Sequence, residues 1–463
     1  MAAGPGRMWA VLDVEVQPQP LEGLVGVLNA EQADQLRAAA TRAVAALDGR
    51  VVWNVNSTAS GGGVAEMLRT LLGYAAGAGV PTRWLVLDGD PDFFRLTKRL
   101  HNAIHGAGAD AVPGEEDRAG YERVLGRNLP DLLRLLGPGD LAILHDPQAA
   151  GLVGPLRAAG IPVVWRCHIG RDTPNPTSEA AWEFLRPYVE PADAFVFSRR
   201  QYAPAWVPAD RLEVIPPSID PLSAKNRAMT PEECVRTLVR AGLLGGDDRT
   251  ASTGVGEAPP PLPGSRLVVQ VSRWDRLKDM PGVILGFAGA PVADDVHLML
   301  VGPDVSGVSD DPEGAEVLAD CVRTWQDLRP ALRRRVHLAS VPMADVEENA
   351  TIINAVQRHA AVVVQKSLEE GFGLTVAEAM WKARPVLASA VGGIQDQITD
   401  GADGVLIHDP RDLADYGRAL GGLLADPVSA QRLGDAARRT VRSRFLGDRH
   451  LEQYVDLLAA LVG

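Results

Sequence analysis

The chain predicts an α/β protein made of two doubly wound parallel sheets, and three observations carry that expectation. From Val51 onward, short apolar runs alternate with amphipathic stretches, the pattern of parallel strands covered by helices on both faces. The alternation breaks once, at Pro216-Pro217-Ser218-Ile219-Asp220-Pro221, and then begins again. At 463 residues the chain exceeds one core of ordinary size, so two domains of about 200 residues each are expected.

The elements follow in order. Residues 1–48 form an N-terminal extension with an expected helix from Glu31 to Leu47. A first domain spans 49–217. Its strands are expected at Val51–Val55, Trp84–Leu87, Leu141–Leu144, Val163–Trp165, Ala194–Phe197 and Leu212–Ile215. After the first strand, Val64, Leu68, Leu71, Leu72 and Ala75 share one helical face. The prolines from 216 to 221 cannot continue a helix and read as a stiff hinge. A second domain covers 218–445, with strands at Leu267–Val271, Val296–Val301, Val336–Leu338, Val362–Val364 and Pro385–Leu387. Within it, residues 245–264 lack periodicity and are rich in Gly, Pro, Ser and Thr, which predicts a flexible insertion. Residues 446–463 close the chain with a helix expected to pack on either domain.

Composition narrows the function. A net charge of −13 argues against a general nucleic-acid or anionic-membrane surface. No run of eighteen apolar residues occurs, and Met1-Ala2-Ala3-Gly4-Pro5-Gly6 lacks the regions of a signal peptide, so a cytoplasmic location is expected. Cys167, Cys234 and Cys321 stand singly, forming neither a disulfide framework nor a metal knuckle. Of 46 basic residues only five are lysines: Lys98, Lys225, Lys278, Lys366 and Lys382. Against such a bias towards arginine, each lysine is worth checking individually.

The segment Glu370-Gly371-Phe372-Gly373-Leu374-Thr375-Val376-Ala377-Glu378 is the most informative in the chain. It follows an apolar strand, and Thr375 with Glu378 has the spacing of a capping box, so a helix is expected to start there. Amides at a helix start favour an anion, and glycines let a ligand approach the main chain. Two carboxylates around an anion site suit a ligand carrying both phosphate and hydroxyls, such as a nucleotide-sugar. Arg273 and Lys278 follow the first strand of the second domain. As a pair they suit a diphosphate; taken alone, an Arg and a Lys five apart in a loop more often describe a solvated face, and it is the Glu370–Glu378 segment in the same domain that favours the diphosphate. Gly61-Gly62-Gly63 fits neither the Walker A pattern nor GxGxxG, and reads either as a tight turn or as a backbone cradle. His168 and His145 each end a strand, where a histidine serves either packing or a bound sugar. Asp88-Gly89-Asp90 lies in a turn without a supporting ligand, and no cluster has convincing metal spacing, so no metal is expected. Ligands of doubly wound sheets bind beyond the carboxyl ends of the strands, so these motifs are expected to converge on a cleft between the domains.

With these motifs the chain resembles the retaining glycosyltransferases of two Rossmann-like domains facing across a cleft, the GT-B fold. The likeness is strongest to the trehalose glycosyltransferring synthases. It extends over roughly residues 51–463, through Val55-Asn56-Ser57-Thr58, Gly61 to Met67, Phe93 to Lys98, His101-Asn102-Ala103, His145-Asp146-Pro147-Gln148, Trp165 to Ile169, Pro216 to Ser223 and Glu370 to Trp381. The resemblance implies transfer of glucose from a nucleoside-diphosphate glucose to free glucose, with retention, to give trehalose. It implies that Arg273 and Lys278 hold the diphosphate, that Glu370 meets the donor sugar and that Glu378 meets the ribose. Gly371, Phe372, Gly373, Leu374 and Thr375 would line the donor site, and His168 would steady the donor sugar. Asn56, Ser57, Gly62 and Gly63 would form an acceptor or phosphate loop. No cofactor or metal is implied beyond the donor itself. The partners are the nucleotide-sugar and a small sugar acceptor, with no nucleic acid and no stable membrane insertion; a homodimer is left open. Alternatives within reach are another acceptor, a nucleotide-sugar epimerase or hydrolase, and a non-catalytic sensor. Gly170 departs from the family pattern, which leads one to expect an acid there.

Overall fold

The computed structural model describes residues 11–59, 62–106, 113–246, 259–305 and 312–463. Gly61 and residues 247–258 of the expected insertion lie outside the described residues. The chain divides into two compact units: Met1–Ser218 with Gly447–Gly463, and Ile219–Leu446.

Among the described residues the first unit holds seven strands: β1 (Leu12–Val14), β2 (Val52–Asn56), β3 (Thr82–Val86), β4 (Leu141–His145), β5 (Val163–Cys167), β6 (Ala194–Phe197) and β7 (Leu212–Val214). They lie in the order β1-β3-β2-β4-β5-β6-β7. All neighbours are parallel except β1, which runs antiparallel along β3. Strands buried on both faces read as continuous apolar runs, which is why they were legible. Leu144, Trp165, Phe195 and Phe197 face one core. The alternate residues Ile143, Val164 and Val196 face the other, where Leu457 and Leu458 of the terminal helix join them.

That terminal helix, Gly447–Val462, packs on the first unit beside the helix Ala30–Leu47. Arg42 pairs with Asp456 at 3.1 Å, and Gln32 Nε2 donates to Asp448 Oδ2 at 3.0 Å. The stretch read as an N-terminal extension therefore supplies an edge strand and a covering helix to this unit. β1 escaped notice because it is three residues long, with Leu12 and Asp13 exposed.

The second unit holds β8 (Arg266–Val271), β9 (Val296–Pro303), β10 (Val336–Val341), β11 (Val362–Gln365), β12 (Val386–Ser389) and β13 (Val405–Ile407). The order is β10-β9-β8-β11-β12-β13, parallel throughout. Val268, Leu298, Leu338, Val364 and Leu387 meet Ile284 and Phe287 of the covering helix Met280–Gly289 in one core. β13 was not anticipated, since Val405 and Leu406 are only half-buried.

Strand order fixes where function belongs. In the second unit the winding reverses between β8 and β11, and in the first between β2 and β4. Beyond the carboxyl ends of such strands the outgoing chains part, leaving a crevice for a ligand.

Candidate active site

In the second unit both flanks of the switch point carry chemistry. Lys278 ends the connection after β8, and Glu370 lies in the connection from β11 to the helix Leu374–Trp381. Because the strands are neighbours, the connections meet. Leu368 N donates to Leu277 O at 2.8 Å. Gln270, on β8, bridges the two: its Nε2 donates to Lys278 O at 2.8 Å, and its Oε1 accepts from Lys366 N at 3.0 Å. Lys278 Nζ then lies 2.7 Å from Glu370 Oε2, with the two side chains 15% and 11% exposed. Ser367 Oγ donates to the same oxygen at 3.2 Å. The pair is shielded but not sealed.

Deeper groups hold these loops. Lys366 is fully buried and pairs with Asp279. Asp279, at φ 46°, also caps the helix Met280–Gly289 by accepting from Gly282 N at 3.2 Å. Trp274 anchors the first loop through Nε1, which donates to Pro303 O at 2.8 Å. Its ring lies so close to Gly302 that a Cβ there would come within 2.4 Å.

The glutamate segment differs from the expected capping box. Thr375 already lies inside the helix, and its hydroxyl donates to Gln365 Oε1 at 3.0 Å instead of capping. The residue before the helix is Gly373, whose left-handed φ of 84° turns the chain without any side-chain cap. Leu374 opens the helix half-buried, Gly371 O accepts from Gly393 N at 3.2 Å, and Phe372 packs edge-on against Phe445. Glu378 is buried, with Lys225 Nζ at 3.7 Å. Arg273 is not drawn into the Lys278–Glu370 pair; it is 59% exposed and pairs with Asp275 at 3.3 Å.

The first unit offers a different arrangement at its own strand ends. Arg166 Nε approaches His168 Nδ1 at 3.4 Å, His168 Nε2 lies 3.0 Å from His145 Nδ1, and His145 Nε2 lies 3.2 Å from Asn54 Oδ1. A guanidinium only donates, so His168 Nδ1 must accept. It follows that His168 Nε2–H donates to His145, and His145 Nε2–H donates to Asn54. The row has one direction, and both ring nitrogens of His168 are engaged within the unit. Burial drives both imidazoles towards the neutral form, His145 to about 3 and His168 well below the ordinary range. Asp146, at φ 63°, accepts from His168 N at 2.7 Å, and burial raises its carboxyl to about 6.

The other first-unit candidates are placed less chemically. Asn56 is buried, its Oδ1 accepting from Trp84 Nε1 at 2.9 Å and its Nδ2 donating to Thr58 O at 2.8 Å. It shapes the loop after β2. Ser57 is half-buried beside it. Gly62 and Gly63 begin the helix Gly62–Gly77. Gly170 has a packing reason: a Cβ would come 2.3 Å from Tyr202 Cγ. Asp90 is an N-cap, accepting from Phe93 N at 3.0 Å, and pairs with Arg127. Among the described residues no group of three His, Cys, Asp or Glu is placed to hold a metal ion, and no helix is long and apolar enough to cross a membrane.

Comparison with known proteins decides the family. Residues 54–204 match the family described as trehalose synthase, N-terminal domain, and residues 344–440 match glycosyl transferases group 1. The trehalose synthase of Rubrobacter xylanophilus is 37% identical over 421 residues, covering 90% of this chain and 92% of that protein. The chain belongs to the trehalose synthase family. The trehalose synthase of Pyrococcus horikoshii is 33% identical over 459 residues, 98% of this chain and 100% of that protein. A solved α,α-trehalose-phosphate synthase (UDP-forming) from Burkholderia vietnamiensis superposes with a TM-score of 0.66 at 17% identity, covering 89% of this chain and 99% of that one. That likeness shows the GT-B fold. The protein is a hexosyltransferase of trehalose-related glycosyl transfer.

For this member of the trehalose synthase family, the structure brings together Lys278 and Glu370, both named from the sequence, through residues that sequence reasoning missed. Gln270, Lys366, Ser367 and Asp279 have no motif. Neither do Asn226, Gln357 and Lys225, which gather around Glu378 and Lys382. One signal was available: the scarcity of lysine.

Proposed function

We propose that the enzyme transfers glucose from a nucleoside-diphosphate glucose to free glucose, with retention at the anomeric carbon, forming α,α-trehalose. The observation that carries this reading is the Lys278–Glu370 pair at the second unit's switch point, beside the amides that open the helix Leu374–Trp381. As the bond from the anomeric carbon to phosphate breaks, negative charge gathers on the leaving diphosphate. A fixed ammonium at Lys278 and the helix-start amides stabilise that charge without reorganising, which is where most such catalysis resides, and the exposed guanidinium of Arg273 joins them by leaving Asp275. In this reading the positive charge comes from these groups and not from a metal ion.

Glu370, oriented by Lys278 and Ser367, accepts hydrogen bonds from hydroxyls of the donor sugar, and Glu378 accepts from the nucleoside. The acceptor hydroxyl attacks from the face the phosphate leaves. A phosphate oxygen takes its proton, so no protein nucleophile is required. His168 serves the sugar by exchanging His145 for a sugar hydroxyl as the partner of its Nε2–H.

The test is direct. Incubate the protein with glucose and each of ADP-, UDP- and GDP-glucose, with glucose 1-phosphate as a control donor, and identify the product linkage by NMR. An α,α-1,1 disaccharide from at least one nucleotide-sugar, and only when glucose is present, supports the reading. Nucleotide release without glucose indicates a hydrolase. A product lacking the 1,1 linkage indicates a different acceptor.

A further inference from the structure

Four of the five lysines, Lys225, Lys278, Lys366 and Lys382, fall in the second unit and converge on the segment from Lys366 to Lys382. Two of them face the two glutamates: Lys278 meets Glu370 at 2.7 Å, and Lys225 meets Glu378 at 3.7 Å. In a chain that otherwise uses arginine, a compact ammonium has been kept at each of these places, where a planar fork has a different shape and hydration.

Lys382 explains how the second pair is held. It is 3% exposed, and its ammonium donates to Asn226 Oδ1 at 2.9 Å, Gln357 Oε1 at 2.8 Å and Glu378 O at 3.1 Å. Three donors meet three acceptors, none of them a carboxylate. Asn226 is itself buried, and its Nδ2 donates to Asp220 O at 2.9 Å. Its carbonyl accepts from Arg358 at 2.8 Å and from Trp381 Nε1 at 3.3 Å. Asn354 Nδ2 donates to Ala224 O and Arg227 O, each at 2.9 Å. The short stretch 224–227 is therefore clamped from three helical positions, and Lys225, between the clamps, reaches Glu378. Burying an ammonium on neutral acceptors is costly compared with an apolar side chain of similar volume, and burial, which the nearby Glu378 carboxylate only partly offsets, pulls Lys382 down from its ordinary range. Registry is what the network supplies in return.

We propose that Lys225 is a further recognition residue at the Glu378 end of the proposed donor site, acting on the same ribose cis-diol, and that Lys382 acts through Asn226 as the positioning residue for Lys225. The carboxylate accepts from the diol hydroxyls, and the ammonium donates to a hydroxyl oxygen. The inference rests on the donor being a nucleotide-sugar.

The experiment compares ADP, UDP and GDP with their 2′,3′-dideoxy forms by titration calorimetry on the wild-type protein, Lys225→Met, Lys382→Met and Asn226→Ala. The wild-type protein is expected to favour the ribonucleotide by about tenfold or more. In Lys225→Met that ratio falls to about threefold or less, while KM for glucose is unchanged. Lys382→Met lowers the ratio in the same sense with its circular dichroism spectrum preserved. Should Lys382→Met fail to fold, Asn226→Ala decides the positioning role. A Lys225→Met protein that keeps the wild-type ratio overturns the recognition role. A Lys382→Met or Asn226→Ala protein that melts earlier but keeps the ratio overturns the positioning role. If no nucleoside diphosphate binds the wild-type protein at all, the functional reading itself has failed.

Discussion

The switch points of the two units are built from opposite materials. In the second unit each glutamate of the segment sits against a lysine from a distant stretch, and a buried Lys366–Asp279 pair holds the loops beneath. In the first unit the same topological position carries a one-way row of hydrogen bonds through two histidines that burial keeps neutral. Under the proposed function the two materials suit two different tasks. Fixed, shielded charge suits a group that gains charge as a bond breaks. Neutral donors and acceptors of fixed tautomer suit hydroxyls, whose charge changes little.

The largest effect expected from breaking this comparison lies on the charged side. Lys278→Ala and Glu370→Ala are each expected to lower turnover by at least about a hundredfold, the scale on which removing a preorganised charge acts. Steady-state kinetics on protein of unchanged circular dichroism makes the check. The loss should be largely in kcat, because charge on the leaving group develops in the transition state. Near-normal kcat in both variants would place the chemistry elsewhere.

The next effect concerns the neutral side and its dependence on pH. His145, His168 and His450 are held below their ordinary pKa by burial. As pH falls below 6.5 the unfolded chain binds a proton at each, while burial holds the native imidazoles neutral, His145 down to about 3 and His168 and His450 well below the ordinary range. Stability from these groups is therefore present above pH 6.5 and lost as pH falls, by at most about 1.4 kcal/mol per pH unit for each proton. Asp146 works the other way: raised to about 6, it binds a proton in the native state before the unfolded chain does. Burial lowers His297, His337 (to about 4) and His359 in the same sense, and raises Asp448 and Glu452 as it raises Asp146. Among the described residues six lowered histidines therefore outweigh three raised carboxyls, and unfolding in mild acid takes up protons on balance. Urea unfolding at pH 7 and pH 5.5 should show the native state losing stability in the acid. In His145→Gln the loss should shrink by about one proton's worth. An unaltered slope would mean that His145 is protonated in the native state.

Much of this molecule was legible because its strands are apolar on both faces. Val362–Gln365 and Val163–Cys167 announce themselves, and the loops that follow them are where a doubly wound sheet must bind. Glu370 and Lys278 could be named because each follows such a strand. The rest needed three dimensions. The clamp on Lys225 joins residues more than 120 positions apart, a separation no periodicity reports. A helix does start where expected, but its cap differs: Thr375 and Glu378 imitate a capping box by spacing, whereas Gly373 turns the chain by its φ. His168 was placed correctly at its strand end. That both of its nitrogens are engaged depends on Arg166, a guanidinium whose burial no sequence pattern reports.

The smallest expected effects separate two reasons for a glycine, one in each unit. At Gly170 the backbone is ordinary, and the obstacle is a neighbour: a Cβ would come 2.3 Å from Tyr202 Cγ. At Gly373 the obstacle is the backbone, held at φ 84°, while the nearest side-chain atoms, Ile394 Cγ1 at 3.1 Å and Glu370 Cγ at 3.3 Å, are less intrusive. Gly170→Ala should cost about 1–3 kcal/mol by overpacking, and Gly373→Ala about 1–2 kcal/mol by left-handed strain. The single values overlap, so they do not discriminate. A double-mutant cycle does. In a Tyr202→Ala background, Gly170→Ala should become nearly neutral, within about 0.5 kcal/mol, because its clash partner is gone. In an Ile394→Ala background, Gly373→Ala should keep its full cost, because trimming a side chain does not relax φ. Gly373→Ala should also lower turnover, since the new methyl pushes against the stem of Glu370. Equal coupling in both cycles, measured by urea unfolding, would show that steric crowding governs both sites and that the turn at Gly373 has no special backbone demand.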